Sequence, residues 1–303
     1  MVIMTKGAKV LVLGGPTAVG KTALAIAWAR AFDGEIINTD SSQIYREMDS
    51  GTAKPSPEEQ AAAPHHLINI VAPDESFTLA DFQARAEAVI QQITGRGKLP
   101  ILAGGTGMYI TATLEGWRIP EVPPDPALRA SLEARTNEGL LDELRNLDPK
   151  TADSIDAKNP RRLVRALEVC LITGRPFSEL RQKEPPGYDI LPYVLTMPRE
   201  ALYERADARV DMMLERGWID EARALIEKGY EGPSMSALGY PQIGQHLRGE
   251  LSLEDMKTSI KNATHKFIRR QYTWLRGHDP GWRWIESGED ERAAIGAWLS
   301  HHL

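Results

Sequence analysis

The sequence predicts an α/β fold, a P-loop NTPase-like core with a parallel sheet flanked by helices, plus an all-helical insertion domain. Three observations predict it. An apolar run, Val10 to Leu13, ends in Gly14 and Gly15 and leads through Gly20, Lys21 and Thr22 into a helical stretch, which fits G-x-x-x-x-G-K-[ST]. Two later apolar runs end in short polar or glycine-rich segments, one at Asp40 and one at Gly104. Between the proline-rich breaks at 119–126 and 185–187 the pattern is helical throughout.

The phosphate loop comes first in the chain. Strand, glycine turn and helix start place Gly15, Pro16, Thr17, Ala18, Val19, Gly20, Lys21 and Thr22 where backbone amides and the helix dipole meet an anion. Lys21 adds a point charge and Thr22 a hydroxyl suited to Mg²⁺. The loop is therefore read as holding a phosphate or diphosphate, and it does not say which molecule carries that group. A helix over 22–32 follows, then a strand over 34–39 that delivers Asp40, Ser41, Ser42 and Gln43 at its end. A short extended piece at 65–69 precedes a helix over 79–94, capped near Thr78. The strand over 99–103 ends in Gly104, Gly105, Thr106 and Gly107, which places Thr106 on the same sheet edge as Asp40 and the loop.

The insertion is expected over 120–186, with helices near 126–136, 138–147 and 159–173, leaving 1–119 and 187–303 as the catalytic core. A strand over 188–197 returns to the sheet, with Pro192 an awkward member. Helices over 199–216 and 218–228, a loop at 234–240 and a long helix over 252–275 follow, then a strand at 282–285 and a helix over 289–299. In the long helix Leu253, Met256, Ile260, Ala263, Phe267 and Trp274 share one face. Lys261, His265, Lys266, Arg269 and Arg270 lie opposite, with no acidic residue after Asp255. Arg161, Arg162 and Arg165 crowd a helix start in the insertion. Two basic surfaces suggest a polyanion partner.

The bulk numbers bound the rest. With 303 residues, 42% of them hydrophobic, the chain can bury a sizeable core and carry two domains. A formal net charge of −6 excludes a protein basic all over, though only local patches matter for phosphate contacts. The single cysteine, Cys170, leaves no internal disulfide or zinc cluster and suits a reducing cytoplasm. No stretch reaches the ~20 apolar residues of a membrane span.

Three readings of Asp40 stand side by side: a water-mediated Mg²⁺ ligand, a general base, or a cap for the next helix through Ser41 and Ser42. The usual second NTPase motif, an apolar strand ending in aspartate, is missing, because the 99–103 strand runs into glycine. His65 and His66 lack a third ligand at metal-site spacing and read as structural.

Together these motifs resemble the bacterial tRNA dimethylallyltransferases, or tRNA isopentenyltransferases. The resemblance runs through 15–22, 40–45, 51–55, 65–68, 104–109, 159–168, 237–240 and 264–274, nearly the whole chain in order. It implies transfer of a dimethylallyl group from dimethylallyl diphosphate to N6 of adenosine 37, in tRNAs reading codons that begin with U. It also implies an insertion that grips the anticodon stem-loop, and a cytoplasmic, monomeric enzyme using Mg²⁺ through Thr22. By position Asp40 resembles the general base, with Lys21 and Thr17 also catalytic, and the loop with Arg209 resembles the diphosphate cradle. Asp40 to Gln43, Thr106, Arg129 and the run Arg161, Arg162, Leu163, Val164, Arg165 resemble tRNA-contacting positions. The same loop is shared with ATP-binding proteins, so a small-molecule kinase is the competing expectation; it predicts ATP consumption without RNA.

Overall fold

The computed structural model describes residues 7–118, 120 and 122–301. Six strands form one parallel sheet: β1 (Lys9–Gly14), β2 (Gly34–Asn38), β3 (His65–His66), β4 (Leu99–Ala103), β7 (Asp189–Thr196) and β8 (Arg283–Glu286). Their spatial order is β3-β2-β4-β1-β7-β8. β1 is central, and Val10 to Leu13 are fully buried on both faces, which is why this strand reads as a continuous apolar run. Leu11 and Leu13 pack with Trp28 of α1 (Lys21–Ala31) and with Tyr193. Val10 and Val12 pack with Phe82, Ile90 and Ile93 of α3 (Leu79–Gly95). Pro192 is tolerated because β8 pairs with β7 only from Tyr193 onward, so no ladder bond is demanded on that side.

Contacts divide the chain into two units, one of residues up to Leu114 and from Pro186 onward, the other Glu115–Pro185. In the second, β5 (Trp117–Arg118) pairs antiparallel with β6 (Gln182–Lys183), a ribbon too short to announce itself in sequence. It lies before the proline-rich turn at which the sequence suggests a boundary. The helices α5 (Pro126–Glu133), α6 (Asn137–Leu147), α7 (Pro149–Ser154), α8 (Pro160–Thr173) and α9 (Phe177–Leu180) complete this unit. Leu132, Leu140, Leu144, Leu163, Val164 and Leu167 form its own core. Asn159 caps α8 and Pro160 opens it, a start the sequence signals directly.

In the first unit α4 (Gly107–Glu115), α10 (Arg199–Glu215), α11 (Trp218–Glu227), α12 (Tyr240–Leu247), α13 (Leu253–Gly277) and α14 (Arg292–Ser300) surround the sheet, with α2 (Pro57–Ala62) between β2 and β3. α12 begins at the end of the loop expected over 234–240, in a stretch the sequence analysis left unassigned; Pro241 occupies its first turn, where the missing N–H is harmless. The buried face of α13 also differs from the expected one. Met256, Ile260, Thr264, Ile268, Gln271 and Leu275 face inward, whereas Leu253 is exposed and Ala263, Phe267 and Trp274 are half-buried. Two of the inward positions are polar, so apolar spacing alone selected a rotated stripe. Among the described residues no helix is long and apolar enough to cross a membrane.

Candidate active site

The site grows from the carboxyl ends of β1, β2 and β4, where parallel strands leave their loops. Gly15 follows β1 with φ +150°, and a Cβ there would lie 2.7 Å from the Leu195 carbonyl oxygen, so the close approach of β7 requires glycine. Ala18 (φ +65°) and Gly20 (φ +106°) turn the loop into α1, leaving its first amides without helical partners. Lys21 Nζ donates to the Pro16 carbonyl at 2.7 Å, folding the side chain back over the loop. Burial lowers the Lys21 ammonium from 10.5 to about 7; the Asp40 carboxylate opposes that shift and the Arg209 guanidinium adds to it. Burial likewise lowers Arg209, again against the pull of Asp40 and with Arg205 reinforcing the shift. Two basic groups this buried, with one carboxylate near both, are poorly compensated by the protein's own charges and suit a multivalent anion.

Asp40 leaves β2 held from behind. Asn38 Oδ1 accepts its N–H at 3.1 Å, and Asn38 Nδ2 donates to its carbonyl at 3.2 Å and to that of Leu67 at 3.1 Å. One carboxylate oxygen, Oδ1, accepts the Ser42 N–H at 2.9 Å. No helix starts here, so the expected helix cap is instead a local turn closed by the side chain, and it orients the carboxylate while leaving Oδ2 available. Thr106 Oγ1 accepts the Ser41 N–H at 3.0 Å, joining the β2 and β4 loops. Gln43 is buried, its amide donating to the Thr52 and Ala53 carbonyls at 3.2 and 3.3 Å, so its side chain braces the 51–53 loop.

A cavity of about 400 Å³ brings these pieces together. Thr17, Ala18, Asp40, Ser41, Ser42 and Arg209 line it, with Lys266 and Arg270. Val210, Met213, Trp218, Leu238 and Phe267 supply an apolar wall. The Trp218 ring is admitted by two glycines: a Cβ on Gly51 would lie 2.0 Å from its Nε1 and one on Gly239 2.1 Å from its ring carbons. Glu221 holds the 49–51 turn beside it, accepting the N–H groups of Asp49, Ser50 and Gly51 at 2.7–3.0 Å. Sequence reasoning missed this wall. Only the small residues Gly51 and Gly239, beside the Trp218 ring, hinted at it.

The remaining sequence-derived candidates fall elsewhere. Gly15, Pro16, Val19, Gly20, Lys21 and Thr22 belong to the loop but do not line the cavity, and neither do Gln43 and Thr106, which brace its rim loops. In the helical unit Arg129 grips Glu168 with both Nε (2.8 Å) and Nη2 (2.9 Å). Arg165 reaches the same carboxylate at 2.7 Å and the Val122 carbonyl at 3.0 Å. Leu163 and Val164, expected among the tRNA-contacting positions, have their side chains buried in the helical core, because positions 163 and 164 fall on the inward stripe of α8. Arg161 and Arg162 are exposed. On α13, Lys261 pairs with Asp211 and His265 with Asp207, at 2.7 and 2.8 Å. The expected uniformly basic face is therefore partly neutralised by α10, which sequence along one helix could not reveal. His66 meets Glu35 at 2.7 Å and His65 the Ala63 carbonyl at 2.8 Å, both as structural contacts. Among the described residues no cluster of three His, Cys, Asp or Glu side chains could hold a metal by itself. The Thr22 hydroxyl and Asp40 carboxylate are hard oxygen donors of the kind Mg²⁺ uses alongside phosphate oxygens, and fit that ion rather than a soft one.

A family model described as IPP transferase matches residues 43–278. A tRNA dimethylallyltransferase of Roseiflexus castenholzii is 50% identical over 272 residues, covering 88% of this chain and 89% of that one. One from Thermomicrobium roseum is 49% identical over 279 residues, covering 90% and 85%. Among solved structures, a tRNA isopentenylpyrophosphate transferase from Bacillus halodurans superposes with a TM-score of 0.72 at 38% identity, covering 96% of this chain and 95% of the other. A eukaryotic dimethylallyltransferase acting on tRNA superposes with a TM-score of 0.79 at 29% identity, covering 96% and 78%.

Proposed function

This chain belongs to the IPP transferase family, and from that premise we propose how its residues carry a dimethylallyl group from dimethylallyl diphosphate to N6 of adenosine 37 in tRNAs reading codons that begin with U. The chain is a transferase of the tRNA-modifying kind. One observation supports the assignment of roles above the others: a single cavity is lined by Thr17 and Ala18 of the anion loop, the buried Arg209, the Asp40 carboxylate and an apolar wall, with Lys21 buried in the loop and coupled to both Asp40 and Arg209. A kinase site also uses an anion loop, cations and a carboxylate base, whereas a prenyl donor calls in addition for the apolar wall.

The steps follow from the chemistry of the groups. The N6 lone pair is delocalised into the purine and attacks weakly unless its proton has an acceptor. Asp40, oriented through Oδ1 by the Ser42 N–H, accepts that proton as N6 bonds to C1 of the prenyl group. The C1–O bond breaks and its electrons leave with the diphosphate. Lys21, Arg209 and the loop amides meet the charge that develops there. Where Mg²⁺ is bound, Thr22 and the diphosphate oxygens would hold it, adding positive charge at the leaving group. Val210, Met213 and Phe267 exclude water from the prenyl carbons.

A base stacked in the anticodon loop cannot reach such a cavity, so adenosine 37 is flipped out, with Ser41, Ser42 and Thr106 near its edge. Arg161 and Arg162 of the helical unit are exposed for phosphate contacts. Because one chain carries every group the reaction needs, the working form is a monomer, acting in the cytoplasm where tRNA is processed. The test is direct. Protein, Mg²⁺, labelled dimethylallyl diphosphate and unmodified tRNA are incubated without ATP and the label is mapped. Label on N6 of adenosine 37 supports the reading; a requirement for ATP with phosphate passed to a metabolite ends it.

A further inference from the structure

The polar positions inside α13 carry an inference that rests on reading the loop as a diphosphate cradle and goes beyond it. Gln271 is only 6% exposed and lies between the core residues Ile268 and Leu275 on the inward face. Its Oε1 accepts the Thr17 N–H at 2.9 Å, and its Nε2 donates to the Gly105 carbonyl at 3.0 Å. A Cβ on Gly105 would lie 2.4 Å from that Nε2, so the β4 loop closes directly onto the amide. From Gly105 the connection continues: Thr106 Oγ1 accepts the Ser41 N–H, and Asp40 Oδ1 accepts the Ser42 N–H. Only a side chain with one acceptor and one donor at this length satisfies both backbone partners. Filling a core with a glutamine has no advantage over leucine unless those partners must be held.

We propose that Gln271 is a positioning residue for the transfer. It ties the Thr17 end of the anion loop to the loop that fixes the Asp40 turn, so that leaving diphosphate and proton acceptor face the same cavity at a set separation. The step it serves is the one already written, and Gln271 itself neither gains nor loses a proton.

The experiment uses the full chain and three variants: Gln271→Met, Gln271→Glu and Gly105→Ala. Gln271→Met keeps the volume and loses both hydrogen bonds. Gln271→Glu keeps the acceptor, turns a carboxylate toward the Gly105 carbonyl and adds charge beside the cradle. Gly105→Ala crowds the amide from the other element. Prenyl transfer is measured with tRNA saturating and donor varied, tRNA affinity by filter binding, and inorganic diphosphate affinity by calorimetry. For each variant we expect kcat to fall about 10–100-fold, as misplacement of reacting groups does. We expect tRNA affinity to stay within about 2-fold, since no phosphate contact is removed. Gln271→Glu should bind inorganic diphosphate about 10-fold more weakly than Gln271→Met, through like-charge repulsion. Variants with a lowered melting temperature but wild-type kcat and KM per folded molecule would make Gln271 a packing residue and overturn the proposal. If the wild-type protein transfers no prenyl group, the function fails on its own. The diphosphate titration then decides the positioning: weaker binding in Gln271→Met, which adds no charge and releases the Thr17 end of the loop, supports it, and binding equal to wild type overturns it.

Discussion

At Asp40 the local turn and the base reading are compatible. Carboxylate Oδ1 accepts the Ser42 N–H, and that bond aims the group instead of consuming it. Asp40→Asn keeps the accepting oxygen and removes the base. It should slow prenyl transfer about 10²–10⁴-fold, with tRNA affinity nearly intact. Transfer at the wild-type rate, measured with labelled donor, would remove the base assignment. Lys21 gives a second prediction. Its native pKa, about 7, lies below its ordinary 10.5, so between those values the unfolded chain binds more protons and stability rises with pH as far as this group is concerned. An entering diphosphate favours the ammonium form, so binding above pH 7 should draw a proton onto Lys21. Calorimetric titration with inorganic diphosphate at pH 8, in two buffers of different ionisation enthalpy, should show proton uptake beyond that of Lys21→Met. Equal uptake in the two proteins would place the proton elsewhere.

At the scale of elements, α8 separates two kinds of arginine that look alike in sequence. Arg129 and Arg165 share Glu168, whose side chain is fully buried, and Asp125 N–H donates to the same carboxylate at 2.9 Å. Removing it strands two guanidinium groups that remain partly hydrated. Glu168→Ala should therefore lower stability by about 3 kcal/mol, the lower end for a broken buried pair, read from chemical denaturation. Arg161 and Arg162 make no such contact and are exposed. Replacing both with alanine should leave the melting temperature unchanged, weaken tRNA binding and reduce the salt slope by about 2. A salt slope equal to wild type would move the RNA backbone off this helix start. α13 divides in the same way: Lys261 and His265 are engaged by α10, whereas Lys266 and Arg270 line the cavity.

For the whole molecule the relevant fact is that the two units bury separate cores, one layered on the parallel sheet and one among α5, α6 and α8. Leu144 is fully buried in the second. Leu144→Ala should lose about 2–5 kcal/mol from that unit through a cavity its neighbours cannot refill. Hydrogen exchange should then quicken within 115–185, while calorimetric affinity for inorganic diphosphate, a property of the first unit, holds. Loss of diphosphate binding in this variant would show that the cradle depends on the helical core.

What the sequence determined by itself was local. The loop between β1 and α1, the placement of Asp40 after β2 and of Thr106 after β4, and the start of α3 capped by Thr78 were all legible. Each depends on a glycine, a cap or an apolar run acting on its immediate neighbours. The tertiary structure alone decided which distant side chains complete those pieces. The cavity wall comes from 206–218, 237–242 and 263–270, far along the chain from Thr17 and Asp40. It diverted Arg129 and Arg165 to Glu168 and turned Gln271 toward Thr17 and Gly105. Periodicity reports that a residue faces inward, but hydrogen-bond and ion-pair partners are fixed by which elements pack together, and that is set by the burial of the whole chain at once.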